Sequence, residues 1–356
     1  MDRQHLNNSE DVETNTSIRT ASIETLDGPH REAVRVAMSN ILSTEIAETT
    51  YAQIIDGLPL IEVLRDGDGD LLCDDHPISA HTELRAGVLE TTRRLLTGFD
   101  LGTLRFDSTL LNVFQGASPG SRAFKTRLIE ILARSVHQVA VILYNNNPDL
   151  SSSTPSSIKD VHLWEPPKDA SDPDGRWELW WQFNPHGPPA TLFRHSWYTN
   201  AENYPEGAAD MTGYWAESRI LGGVVLFNRA AQGRGEETDA VYLHPERDGV
   251  TYRICLLTDM QKKAMLDFCL QIKEEARDAV ACPLPVLPDQ RHTQRVDPEE
   301  PIRVTGVCRD AWERVTPPPE WMGDGRAHCM RNPLDFLTKA DHQEASSRWS
   351  TRMERW

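Results

Sequence analysis

A chain of 356 residues with 39% hydrophobic content is long enough for one large or two ordinary domains around a packed core. Its formal net charge of −17, from 54 acidic against 37 basic residues, repels phosphate backbones and anionic lipid, which argues against a general nucleic-acid or membrane-surface role. No stretch reaches the roughly 18 apolar residues of a membrane-spanning helix. The polar start "MDRQHLNNSEDVETNTSIRT" lacks the apolar core of a secretory leader, and the scattered cysteines form no C-x-x-C. These features point to reduced thiols and a cytoplasmic setting.

Residues 1–26, rich in Ser, Thr, Asn and acids, read as a disordered tail. A helical region is expected over 27–150. "GPHREAVRVAMSNILSTEIAETTYAQII" carries Val34, Ala37, Met38, Ile41 and Leu42 at helical spacing. "AHTELRAGVLETTRRLLTGF" follows, ended by Gly98. "SRAFKTRLIEILARSVHQVAVILYNN" is the strongest helix of the chain, with a wide apolar stripe that broadens toward its end. Between the first two lies the acidic turn Asp66–Asp75. Its D-x-D-x-D start resembles a calcium loop, but Leu71 and Pro77 stand where the loop needs Gly and Glu.

Residues 151–280 read as an antiparallel sheet plus a closing helix, packed with the helical region as one body. Five strands are expected, at 176–183, 190–197, 222–229, 240–245 and 250–257, because these runs are β-branched or aromatic and bounded by turn residues. The stretch from Asp210 to Arg219 reads as a helix capped by Asp210 and seated on the sheet by Trp215, with Gly222-Gly223 turning the chain into the next strand. "DMQKKAMLDFCLQIKEEARDAV" closes the unit, capped by Thr258 or Asp259. Residues 281–356 read as a proline-rich extended region with a short helix near its end. Helices first, strands next and a helix last make the fold class α+β.

The segments "RLIEILARSVHQVAVILY", "ADMTGYWAESRILGGVVLFNR" and "VYLHPERDGVTYRICLLTDMQKKAMLDF" carry a resemblance. Through them residues 121–275 resemble a group of uncharacterised filamentous-fungal proteins. The resemblance implies a fungal origin and a shared α+β body. It implies no activity. Proteins of this look sometimes accompany secondary-metabolite gene clusters.

No nucleophile elbow, phosphate loop, dinucleotide fingerprint or compact zinc module occurs, so neither cofactor nor metal is expected. Cys282, Cys308, His328 and Cys329 are of zinc-binding type but wrongly spaced. The candidate catalytic residues are His195, Tyr214, Glu217 and His244, two imidazoles, a phenol and a carboxyl that would serve acid–base chemistry if they faced one cavity. Trp215, Arg219 and Trp181 are the candidate ligand-binding residues for a small organic molecule. The alternative for each is structural: histidines satisfied by backbone carbonyls, and Glu217 or Arg219 in a buried bridge to another element. His137 reads as a hydrogen-bonded core residue. The functional expectation is a non-catalytic accessory or small-ligand-binding protein linked to secondary metabolism; the alternative is a cofactor-independent acid–base enzyme.

Overall fold

The structure, a computed structural model, describes residues 19–314 except 68–74, 152–155, 169–175, 185, 231–238, 248–249, 273–279, 289–293 and 311. Most of the acidic turn, the short helix expected near the C-terminus, His328 and Cys329 lie outside the described residues. The fold class is α+β, as the order of elements implied: helices surround a five-stranded antiparallel sheet.

The described chain starts with β1 (Thr20–Ala21), which pairs antiparallel with β2 (Phe106–Asp107). Ile23 and Leu26 follow, both buried in the main core. The disordered tail expected over 1–26 is therefore corrected for its last eight residues; the rest lies outside the described residues. The tail reading failed because Ile23 and Leu26 are isolated apolar residues in a polar run, and only their partners on other elements make them core.

Helices α1 (Gly28–Leu42) and α2 (Glu45–Asp56) replace the single helix suggested by periodicity. The break sits at Ser43-Thr44, because the Thr44 side chain accepts the Ala47 N–H and starts a new helix. Next come α3 (Ile61–Arg65), α4 (Val88–Thr97), α5 (Ser108–Gly116) and the 25-residue α6 (Arg122–Asn146), capped by Ser121. Gly98 follows α4, whose Leu96 is buried while Leu95 is exposed. The short helices α7 (Pro148–Ser151) and α8 (Ser157–His162) lie in a stretch rich in Ser and Pro.

Two expected strands are absent. Residues 176–183 form helix α9 (Arg176–Phe183). Trp177, Trp180 and Trp181 satisfy strand alternation and also the i, i+3, i+4 spacing of a helix; in the helix, the rings of Trp177 and Trp181 lie 5.9 Å apart. Residues 190–197 are irregular because side chains take the backbone hydrogens that a sheet ladder would need. His162 Nδ1 accepts from Leu192 N at 2.9 Å, Thr191 Oγ1 from Phe193 N at 3.2 Å, and His195 Nδ1 from Trp197 N at 3.3 Å.

The expected strands at 222–229, 240–245 and 250–257 form as β3 (Val224–Asn228), β4 (Val241–His244) and β5 (Ile254–Leu256). The two outer strands, β6 (Arg295–Val296) and β7 (Val307–Cys308), come from the proline-rich region, giving the order β6-β5-β4-β3-β7. Helix α10 (Ala208–Leu221) is buried from Ala209 to Leu221 and packs most extensively on α6. Its Trp215, Ala216 and Ile220 join the main core with Val225, Phe227 and Leu243 from one sheet face. Its Met211 and Tyr214 join Val224, Leu226 and Tyr242 from the other face, under Tyr198 and Tyr204. Both faces of the sheet are thus covered, which accounts for the unbroken apolar run of β3.

Gly222 turns α10 into β3 at φ 101°, and a Cβ there would meet the Val286 carbonyl oxygen at 2.0 Å. Both the backbone conformation and the close approach require glycine. The closing helix, Asp259–Cys269, carries a full capping box between Thr258 and Gln261. It ends earlier than its sequence suggests, and Ile272 is exposed. Among the described residues, no helix is long and apolar enough to cross a membrane.

Candidate functional site

The centre of the polar interior is His137, on α6. Its Nδ1 lies 2.9 Å from Glu217 Oε1 and its Nε2 2.9 Å from Asp210 Oδ1, both carboxyls being on α10. Each nitrogen donates, so the ring is an imidazolium. Burial opposes that charge, but the bonds to Asp210 and Glu217 outweigh it and raise the pKa. The turn of α10 between the two carboxyls carries Gly213, where a Cβ would sit 2.5 Å from the His137 ring. Glycine is what allows the imidazole to lie against the helix.

Glu217 is fully buried and makes two further contacts of its own. Its Oε1 accepts from Arg309 at 2.7 Å, and its Oε2 accepts the Val225 N–H at 3.3 Å. Burial works against its charge, yet Arg309 and His137 hold its pKa below the usual carboxylate value. Arg309 follows β7 directly, so the edge strand positions this cation. Asp210 was expected to cap α10. It lies inside the first turn, where its Oδ2 accepts the Glu206 N–H at 2.8 Å and its Oδ1 holds His137; Gly207 takes the cap position. Two cations and two carboxylates therefore neutralise one another across α6, α10 and the segment after β7.

The other candidates lie on the opposite side of Tyr214. His195 and His244 do meet, with ring centroids 4.9 Å apart, and both are fully buried. Their hydrogen-bonding capacity is already filled. His195 Nε2 donates to the His244 carbonyl at 3.1 Å, and its Nδ1 accepts from Trp197 N. His244 Nε2 donates to the Tyr252 carbonyl at 3.1 Å, and its Nδ1 accepts from the Tyr198 hydroxyl at 3.1 Å. Burial lowers the pKa of both, most strongly for His244, so both rings are neutral. The Tyr214 ring lies 4.7 Å from His137 and 4.5 Å from Tyr198, between the two groups of polar residues. Its hydroxyl is buried without a hydrogen-bond partner.

Trp215 and Arg219 project elsewhere. Trp215 packs edge-on against Phe193 at 4.9 Å. Arg219 donates to Asp66 at 2.6 Å, and Arg247 approaches the same carboxylate at 3.3 Å. With Leu64, Leu192, Arg194 and Glu246, Trp215 and Arg219 line a recess of about 20 Å³, room for about one water molecule. Trp181 is not among the residues lining it; it contacts Trp177 and Trp180 on its own helix.

Compared with known protein families, curated proteins and solved structures, the chain matches none. The site therefore has to be read from its own geometry.

The structural alternative put Glu217 or Arg219 in a bridge to another element, and each contacts one: Glu217 reaches His137 and Arg309, Arg219 reaches Asp66. It missed the partners. His137 was legible only as a core histidine, and Arg309 sits in a stretch read as extended. One signal was available: Gly213 in the middle of a strong helix marks a close approach by something bulky. Among the described residues, no group of three or more His, Cys, Asp or Glu side chains is arranged to hold a metal ion.

Proposed function

We propose that this protein is a non-catalytic accessory or small-ligand-binding component linked to secondary metabolism. The observation that carries this reading is the saturation of His195, His244 and Glu217. Each has its proton donors and acceptors engaged by protein groups, so none is free to exchange a proton with a substrate. The recess beside Trp215 combines apolar and arginine side chains, the lining a small organic group would need, but at room for about one water molecule it would have to widen to bind one. The link to secondary metabolism rests on the fungal resemblance of residues 121–275.

The test starts from a deletion strain of the source organism. Its extract is incubated with substoichiometric purified protein. A binding component retains one metabolite through gel filtration and releases it at unchanged mass. Conversion of an accumulating metabolite over many turnovers would instead establish the cofactor-independent acid–base enzyme.

A further inference from the structure

On the rim of the recess beside Trp215, one carboxylate oxygen serves two cations. Asp66 Oδ2 accepts from Arg219 Nη1 at 2.6 Å and from Arg247 Nη1 at 3.3 Å. Arg247 Nη2 also donates to the Arg219 carbonyl at 2.9 Å, which holds Arg247 against the helix that carries Arg219.

The three side chains are not equally buried. Those of Arg219 and Arg247 are 11% and 14% exposed, that of Asp66 35%. Arg219 comes from α10 and Arg247 follows β4, so both cations are set on the core. Asp66 is the residue that ends α3. Its backbone N–H donates to the Glu62 carbonyl at 3.0 Å, so turning the side chain alone releases both arginines.

Two guanidinium groups on one carboxylate leave a positive charge only partly compensated. Glu246, the carboxylate that lines the recess, is directed to Ser196, whose N–H and hydroxyl both donate to its Oε1. Arg247 Nε is buried with no hydrogen-bond partner among the described residues. Burial, and then the adjacent Arg219, pull the Arg247 pKa down to about 10, while Asp66 opposes them. Beside Arg219 the recess is walled by Val63, Leu64, Leu192 and Trp215. Leu64 and Gly67, on either side of Asp66 in the chain, both line it, so turning the Asp66 side chain away widens the space next to Arg219.

We propose that the recess binds the carboxylate of a small organic acid with a compact apolar body, which takes the place of Asp66 on Arg219 and Arg247. The exchange replaces one carboxylate by another, so the cations stay paired, and the released Asp66 returns to water. The gain comes from the apolar body, which leaves water for the side of Trp215 and the two leucines. This names the ligand class of the binding role given above and rests on that reading.

The test is calorimetric titration of the full chain with sodium benzoate, chloride holding the ionic strength constant. Benzamide has the same body without the charge, and acetate the charge without the body. Benzoate should bind saturably, and the other two at least about tenfold more weakly. Asp66→Ala removes the internal competitor and should bind benzoate about tenfold more tightly than wild type. Benzoate should also restore the Tm that this variant loses, and benzamide should not. Arg219→Gln should weaken benzoate binding by about tenfold or more. The proposal is overturned by the lack of saturable benzoate binding, by equal affinity for benzamide or acetate, or by an Asp66→Ala protein that binds no tighter. If Arg219→Gln does not fold, the amide comparison and Asp66→Ala decide it. Retention of a metabolite without a carboxylate, in a protein that ignores benzoate, would reject this ligand class and leave the binding role standing. Turnover of a metabolite by a protein that binds benzoate as expected would keep the ligand class and reject the non-catalytic reading.

Discussion

Glu217 shows how one side chain is fixed by neighbours that its own segment does not reveal. On α10 it has no partner at helical spacing. In the folded chain it joins α6 through His137, the sheet through Val225 N and the segment after β7 through Arg309. Glu217→Gln keeps the shape and removes the charge that offsets a buried guanidinium and an imidazolium. It should lower stability by about 3–5 kcal/mol, as breaking a buried ion pair does. Urea unfolding beside wild type measures this, and a loss below about 1 kcal/mol would mean the charges are not coupled as described. Gly213→Ala probes the same centre from the opposite direction. The added methyl would meet a ring held at both nitrogens, so the helix has to shift. The expected cost is about 1–3 kcal/mol, despite the better helix propensity of alanine. A stabilised Gly213→Ala protein would show that His137 is free to move.

At the scale of elements, local signals and remote partners separate cleanly. Helices α6 and α10 and strands β3 to β5 were legible because their apolar periodicity and flanking glycines, caps and turns agree. The segment 190–197 was misread because His162 and its own Thr191 and His195 capture its backbone hydrogens, which composition does not reveal. The two-residue strands β6 and β7 were invisible because so short a strand has no period; pairing alone defines it. Ile23 and Leu26 were missed for the same reason. Removing residues 1–26 should therefore cost roughly 3–6 kcal/mol, the burial of two large aliphatic side chains, rather than leave the melting temperature unchanged. A chain ended after Glu300 loses β7, Arg309 and Glu313 together. It should show no cooperative thermal transition by circular dichroism, because Glu217 loses Arg309 and β3 loses its edge partner β7 at once. A cooperative melt of that truncated chain would refute this account of the segment as part of the core.

For the molecule as a whole, the buried titratable groups predict a sharp loss of stability in weak acid. Burial pushes His76 and His162 down to about 4 and lowers His195 and, further, His244. All four are neutral when folded and take up protons near pH 6.5 when unfolded. The unfolded state thus binds more protons below pH 6.5, and stability falls as pH drops toward 4. His162 alone accounts for about 3 kcal/mol at the end of that range, from a shift of about 2.5 units. Glu313 acts in the opposite sense. Its folded pKa of about 7 lies above the usual carboxyl value, so it stabilises the fold as pH falls from 7 to below 5. His137, raised, is charged in both states through this window and contributes little to its slope; its stabilisation fades as pH rises through its folded pKa. Between pH 6 and 5, unfolding should then take up about three protons net, four by histidines less one by Glu313. With ordinary stability of about 5–15 kcal/mol, such a slope brings the chain near unfolding before pH 4. Glu313→Gln separates the contributions. It removes the buried carboxyl that resists ionisation, so the variant should gain stability above pH 7. It also removes the compensating proton, so its net uptake between pH 6 and 5 should rise to about four. Urea unfolding from pH 8 to 4.5 reads both effects, and a Glu313→Gln slope equal to wild type would mean that Glu313 is already ionised in the folded protein.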